Sequence, residues 1–133
     1  MQPGNHLMAV VDDDDIFMII ARKMIGYCAP QWSLKEFTNG EEMLNYIRKN
    51  LQEPANLPDI MLLDINMPVM DGWMFLQEYE QLKDKLSKPI KIFLASSSID
   101  TKDTERAKEN PNLVDYIIKP LTQEVIMKIT SAA

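Results

Sequence analysis

The chain is poor in the residues that most metal and nucleophile chemistries need. Its 133 residues include one histidine, His6, and one cysteine, Cys28. A lone cysteine cannot close an internal disulfide, and one histidine beside one cysteine cannot furnish a structural zinc site or a Ser/His/Asp or Cys/His catalytic set. Long apolar runs are missing too. The longest are five or six residues, far short of the roughly 20 that cross a bilayer, so no membrane span is expected. No segment combines a basic start, an apolar run and a small-residue cleavage site, and a reducing cytoplasmic setting is the expectation. Positive charge is in deficit, with 14 Lys and Arg against 20 Asp and Glu and a formal net charge of −6. The resulting field repels a phosphate backbone and argues against direct DNA binding.

What remains is the balance of an ordinary globular domain, 46% hydrophobic and 26% charged, with enough chain for one core and too little for a second module of normal size. No repeat or low-complexity tract interrupts it. Short apolar runs recur at Leu7 to Val11, Ser33 to Phe37, Ile60 to Leu63, Ile90 to Ala95 and Val114 to Ile118. The runs at 60–63 and 90–95 are nearly continuous rather than alternating, the pattern of parallel strands covered on both faces.

Helical stripes lie between these runs. Ile16, Phe17, Ile20 and Met24 mark a first helix. Asn39 and Glu42 have capping-box spacing ahead of Met43, Leu44, Ile47 and Leu51. Asp71 can cap a helix with Phe75, Leu76, Tyr79 and Leu82 on one face, and Asp100 with Asp103 precedes a more polar one. Thr122 can cap the last helix, with Leu121 and Ile126 spaced as a hydrophobic staple and Val125 and Ile129 continuing the face. A β-α unit repeated five times predicts an open, doubly wound α/β sheet, whose ligands collect at the carboxyl ends of the strands.

Those ends carry the chemistry. The first strand runs into Asp12, Asp13, Asp14 and Asp15, the third into Asp64, Ile65 and Asn66, the fourth into Ser96, Ser97 and Ser98, and the fifth into Lys119 and Pro120. An isolated acidic tetrad is most often a solvated loop, and a serine triplet or a Lys-Pro pair most often a turn. Their coincidence at matching strand ends is the signal. Two carboxylates about 5 Å apart repel by roughly 3 kcal/mol at an effective dielectric constant of about 20, so such a cluster calls for a cation. Oxygen-only donors on a rigid rim suit Mg²⁺, with Mn²⁺ as a substitute. A metal there leaves Asp64 as a nucleophile toward a phosphoryl group, with Lys119 and Ser96 in reach of the phosphoryl oxygens.

These stretches resemble the receiver domain of two-component response regulators. The matching segments are Val10-Val11-Asp12-Asp13-Asp14, the run from Leu62 through Asp64, Met67-Pro68 and Asp71 to Gly72, the serines 96–98, and Tyr116-Ile117-Ile118-Lys119-Pro120. The likeness covers roughly residues 7–129, leaving 1–6 and 130–133 as short termini. It implies a flavodoxin-like sheet in the order 2-1-3-4-5, with Asp64 phosphorylated, Asp13 a direct metal ligand, Asp12 helping through water and the Asn66 carbonyl completing the protein's share. It also implies Ser96 as switch hydroxyl, with Ser97 one residue out of register as the alternative, Tyr116 as switch aromatic and a cis Lys119-Pro120 peptide. Asn66 and Ser98 fall where similar domains tune dephosphorylation.

By the same resemblance the phosphoryl group comes from a sensor histidine kinase or a phosphotransfer protein. The fourth helix, fifth strand and fifth helix form a switched surface for a downstream protein, and the chain is a monomer or a phosphorylation-dependent dimer. It acts as a stand-alone switch that catalyses only its own phosphorylation and dephosphorylation. Two readings compete. A haloacid-dehalogenase-like phosphatase would need a second carboxyl two residues after the nucleophile, where Asn66 stands. A binding module that ignores phosphate would have no use for Asp64, Asp13, Ser96 and Lys119 together.

Overall fold

In a computed structural model, which describes residues 6–97 and 100–132, the five apolar runs pair as one parallel sheet. Ser98 lies outside the described residues. The elements alternate as β1 (His6–Val11), α1 (Asp15–Cys28), β2 (Trp32–Phe37), α2 (Gly40–Lys49), β3 (Ile60–Asp64), α3 (Gly72–Leu82), β4 (Lys91–Ser96), α4 (Thr101–Glu109), β5 (Leu113–Ile118) and α5 (Gln123–Ser131). A short 3-10 turn, Lys83–Lys85, follows α3. The strand order is β2-β1-β3-β4-β5, as the family likeness implies. Among the described residues no helix is long and apolar enough to cross a membrane.

Strand periodicity divides the interior into two layers. Ala9, Val11, Met61, Leu63, Ile92 and Leu94 face α2 and α3, whereas Met8, Val10, Ile60, Leu62, Phe93 and Ala95 face α1 and α5. Side chains alternate across a strand, so each central strand feeds both layers. This explains why β3 is buried along its whole length and β4 everywhere but Lys91. The same alternation, continued past the apolar residues, turns Asp12, Asp64 and Lys119 toward the α1/α5 side.

The helix starts follow local side-chain chemistry. Asn39 Oδ1 accepts from the Glu42 N–H at 2.9 Å, and Glu42 Oε1 accepts in return from the Thr38 N–H, one residue outside the cap. Asp71, Asp100 and Thr122 cap α3, α4 and α5, and Leu121 and Ile126 are both buried as the staple spacing predicts. Asp14 caps α1 by accepting from the N–H groups of Ile16 and Phe17.

The expected core face of the first helix is corrected. Phe17, Met18, Ala21 and Ile25 are buried, while Ile16 is 69% and Ile20 38% exposed. The segment from Ile16 to Ala21 is apolar at every position, so hydrophobicity alone cannot set the helical phase. Packing on the sheet sets it, and leaves Ile16, Ile20 and Tyr27 on an outward stripe.

Candidate functional site

Register brings the acidic groups together. Val11 lies opposite Leu63 in the parallel ladder, so the next residues along, Asp12 and Asp64, leave neighbouring strands side by side. Both are buried, at 2% and 7% exposure, while Asp13 faces solvent. One carboxylate oxygen from each of Asp12, Asp13 and Asp64 falls within 4.8 Å of the others. Asp12 and Asp13, the pair that the family likeness implies for the metal, thus meet Asp64 in space. Asp14 and Asp15 are engaged at the start of α1, as its cap and in its first turn.

The backbone holds this arrangement firmly. The Asp12 N–H donates to the Phe37 carbonyl at 2.9 Å, and Asp12 Oδ1 accepts from the Asp14 N–H at 2.9 Å. Behind Asp64, the Gly72 N–H donates to the Ile65 carbonyl at 2.8 Å. A Cβ at position 72 would lie 2.5 Å from the Asp64 carbonyl oxygen. Only glycine permits α3 to begin so close to the end of β3. Between them, Val69 takes a φ of 70°, and the Met70 N–H donates to the Pro68 carbonyl at 2.7 Å. A β-branched residue in that region is strained, and sequence reasoning did not anticipate it.

Lys119 reaches the cluster from the end of β5. Its Nζ lies 2.6 Å from Asp12 Oδ2 and 3.3 Å from Asp64 Oδ1, and 4.2 Å from the centroid of the Phe17 ring. The Lys119-Pro120 peptide is cis, and the Lys119 N–H donates to the Ser96 carbonyl at 2.8 Å, tying the ends of β4 and β5 together. Ser96 is buried at the end of β4, whereas Ser97 is exposed. Tyr116 is half-buried on the opposite layer, and Asn66 is exposed just beyond β3.

Burial raises the Asp64 carboxyl to about 6, with the nearby Asp12 charge adding to the shift and Lys119 opposing it. An ionised carboxylate here is destabilised by lost hydration and by its neighbour, and both effects are relieved by a cation. The donor set fits one: three carboxylates, all oxygen, on adjoining strand ends, as hard divalent ions require. Phe17 is the contributor that sequence reasoning missed. It was legible only as a core residue of the first helix, because nothing in linear spacing shows a ring lying against a lysine 102 positions later.

Comparison with known proteins agrees with the geometry. Residues 8–131 match the family described as the response regulator receiver domain, and the chain belongs to that family. It is 30% identical over 127 residues to the two-component response regulator ARR2 of Arabidopsis thaliana, covering 96% of this chain and 17% of that protein. It is 34% identical over 140 residues to protein-glutamate methylesterase/protein-glutamine glutaminase 1 of Syntrophomonas wolfei, covering 93% and 36%. The chain therefore spans well under half the length of these relatives. Among solved structures, a two-component response regulator from Cytophaga hutchinsonii superposes with a TM-score of 0.86 at 25% identity, covering 96% of this chain and 95% of that one.

Proposed function

We propose that this receiver domain, spanning about residues 7–129, accepts a phosphoryl group on Asp64 from a phosphohistidine of a sensor kinase or phosphotransfer protein. The observation that supports it most is the convergence of Asp12, Asp13, Asp64 and Lys119 at one rim, with two of the carboxylates buried. In the transfer an Asp64 carboxylate oxygen forms a bond to phosphorus as the N–P bond breaks in a phosphohistidine protonated on its other ring nitrogen, leaving an acyl phosphate and a neutral imidazole that keeps that proton. With a pKa of about 6, Asp64 is predominantly ionised at neutral pH and able to attack.

Asp12, Asp13 and Asp64, with the Asn66 carbonyl, would hold Mg²⁺ or Mn²⁺, which neutralises charge on the phosphoryl oxygens when bound. Lys119 orients the Asp64 carboxylate and offers its ammonium to a second phosphoryl oxygen. Ser96, buried at the neighbouring strand end, supplies the hydroxyl that responds to the new group. Its movement, followed by Tyr116, biases the surface of α4, β5 and α5 between two states read by a downstream protein. The domain is a switch whose only chemistry is on itself.

Incubation with acetyl phosphate and Mg²⁺ tests the reading by intact mass. One phosphoryl group is expected on the wild-type chain and none on Asp64→Ala. Equal addition to both, or none to either, overturns it.

A further inference from the structure

We propose that Phe17 is a positioning residue for Lys119, holding the ammonium at Asp64 by the face of its ring when the carboxylates that also hold it are engaged by other charges. The inference rests on the reading of Asp64 as the phosphoryl acceptor. Lys119 Nζ meets Asp12 Oδ2 at 2.6 Å, Asp64 Oδ1 at 3.3 Å and the Phe17 ring centroid at 4.2 Å. Two of these three partners belong to the carboxylate group that is arranged as a cation site. A divalent ion bound there competes for the same oxygens and repels the ammonium, and a phosphoryl group on Asp64 consumes one of those oxygens outright. The ring is the partner whose attraction survives both events, because it comes from the quadrupole of the aromatic face and not from the carboxylates.

The ring is also well fixed. Phe17 is 6% exposed and packs in the layer that holds Val10, Ile117 and Leu121. Its backbone N–H donates to Asp14 Oδ1 at 3.3 Å, alongside the Ile16 N–H at 2.9 Å. The helix cap and the core therefore orient the ring before any ligand arrives. A leucine or methionine could fill much of this space without offering a π face. Lysine on its flexible four-carbon stem needs such an anchor more than a planar, forked guanidinium would.

The test places mono-, di-, tri- and pentafluorophenylalanine at position 17 of the full chain, with Phe17→Leu beside them. Fluorination drains the ring face at nearly constant size. Initial rates of Asp64 phosphorylation by acetyl phosphate are measured in saturating Mg²⁺, together with melting temperatures. The Lys119 side-chain proton shifts are followed by NMR before and after Mg²⁺ is added. The expected result is a stepwise fall in rate with fluorine count, reaching about two- to thirty-fold for pentafluorophenylalanine and leucine. Melting temperature should not follow the fluorine count, and the upfield ring-current shift of Lys119 should persist with Mg²⁺. A flat rate series, a rate that follows melting temperature instead, or a Lys119 shift that vanishes with Mg²⁺ overturns the proposal. If the wild-type chain takes no phosphate, or Asp64→Ala takes as much, the acceptor reading fails instead. The NMR arm then still decides whether ring and ammonium stay together.

Discussion

At Asp64, burial and a neighbouring charge act in the same direction, and both disfavour the ionised form. The carboxyl titrates near 6 in the folded chain against an ordinary 3.8, so the folded state holds this proton more tightly than the unfolded state. Its protonation favours folding below about pH 4, and that contribution is lost as pH rises through 6. Without metal, Asp64→Asn should therefore stabilise the protein at pH 7, by about 1–2 kcal/mol after allowance for solvent screening. The gain should shrink toward zero at pH 4. Urea unfolding in chelator at the two pH values checks this, and an Asn variant less stable at pH 7 would contradict it. Asp64, Asp12 and Lys119 could be found from sequence because strand ends in a doubly wound sheet share one rim. Phe17 and Val69 could not: one acts through a tertiary contact, the other through a backbone angle that valine rarely adopts.

The elements were readable where composition and geometry agree. Nearly unbroken apolar runs at Ile60 to Leu63 and Ile90 to Ala95 announced two-sided burial, and Asn39, Asp71 and Thr122 marked helix starts by their capping chemistry. Helix α1 resisted because its first turns are apolar all round, and the choice between phases belongs to the sheet it packs on. The resolved phase makes a paired prediction. Ile25→Ala, at a buried position, should cost about 2–5 kcal/mol. Tyr27→Lys, on the outward stripe at 84% exposure, should change stability by no more than about 0.5 kcal/mol. Chemical denaturation of the two variants decides; equal losses would mean that α1 is rotated from the orientation described.

For the whole molecule, three of the 20 acidic groups meet at one rim, where the fold holds carboxylates that repel one another. Any ion that binds only this folded arrangement stabilises it by mass action. Mg²⁺ at ten times its dissociation constant should add about 1.4 kcal/mol, raising the melting temperature by roughly 3–8 °C for a domain of this size. Protons compete for Asp64, so the increment should diminish as pH falls through about 6. A melting temperature indifferent to Mg²⁺ at neutral pH, or an increment that survives in Asp12→Ala/Asp13→Ala, would count against the site. The sheet order itself became legible only through the family's motifs, since apolar runs show that strands are buried but not which strands are neighbours.

The most direct measurement locates the acyl phosphate chemically. After reaction with acetyl phosphate and Mg²⁺, borohydride reduces an aspartyl phosphate to homoserine, and the peptide containing residues 60–70 can be sequenced by mass spectrometry. Homoserine at position 64 and at no other aspartate is the predicted result. Homoserine at position 12 or 13, or none anywhere in a protein that has gained phosphate, would contradict the assignment of Asp64 as the acceptor.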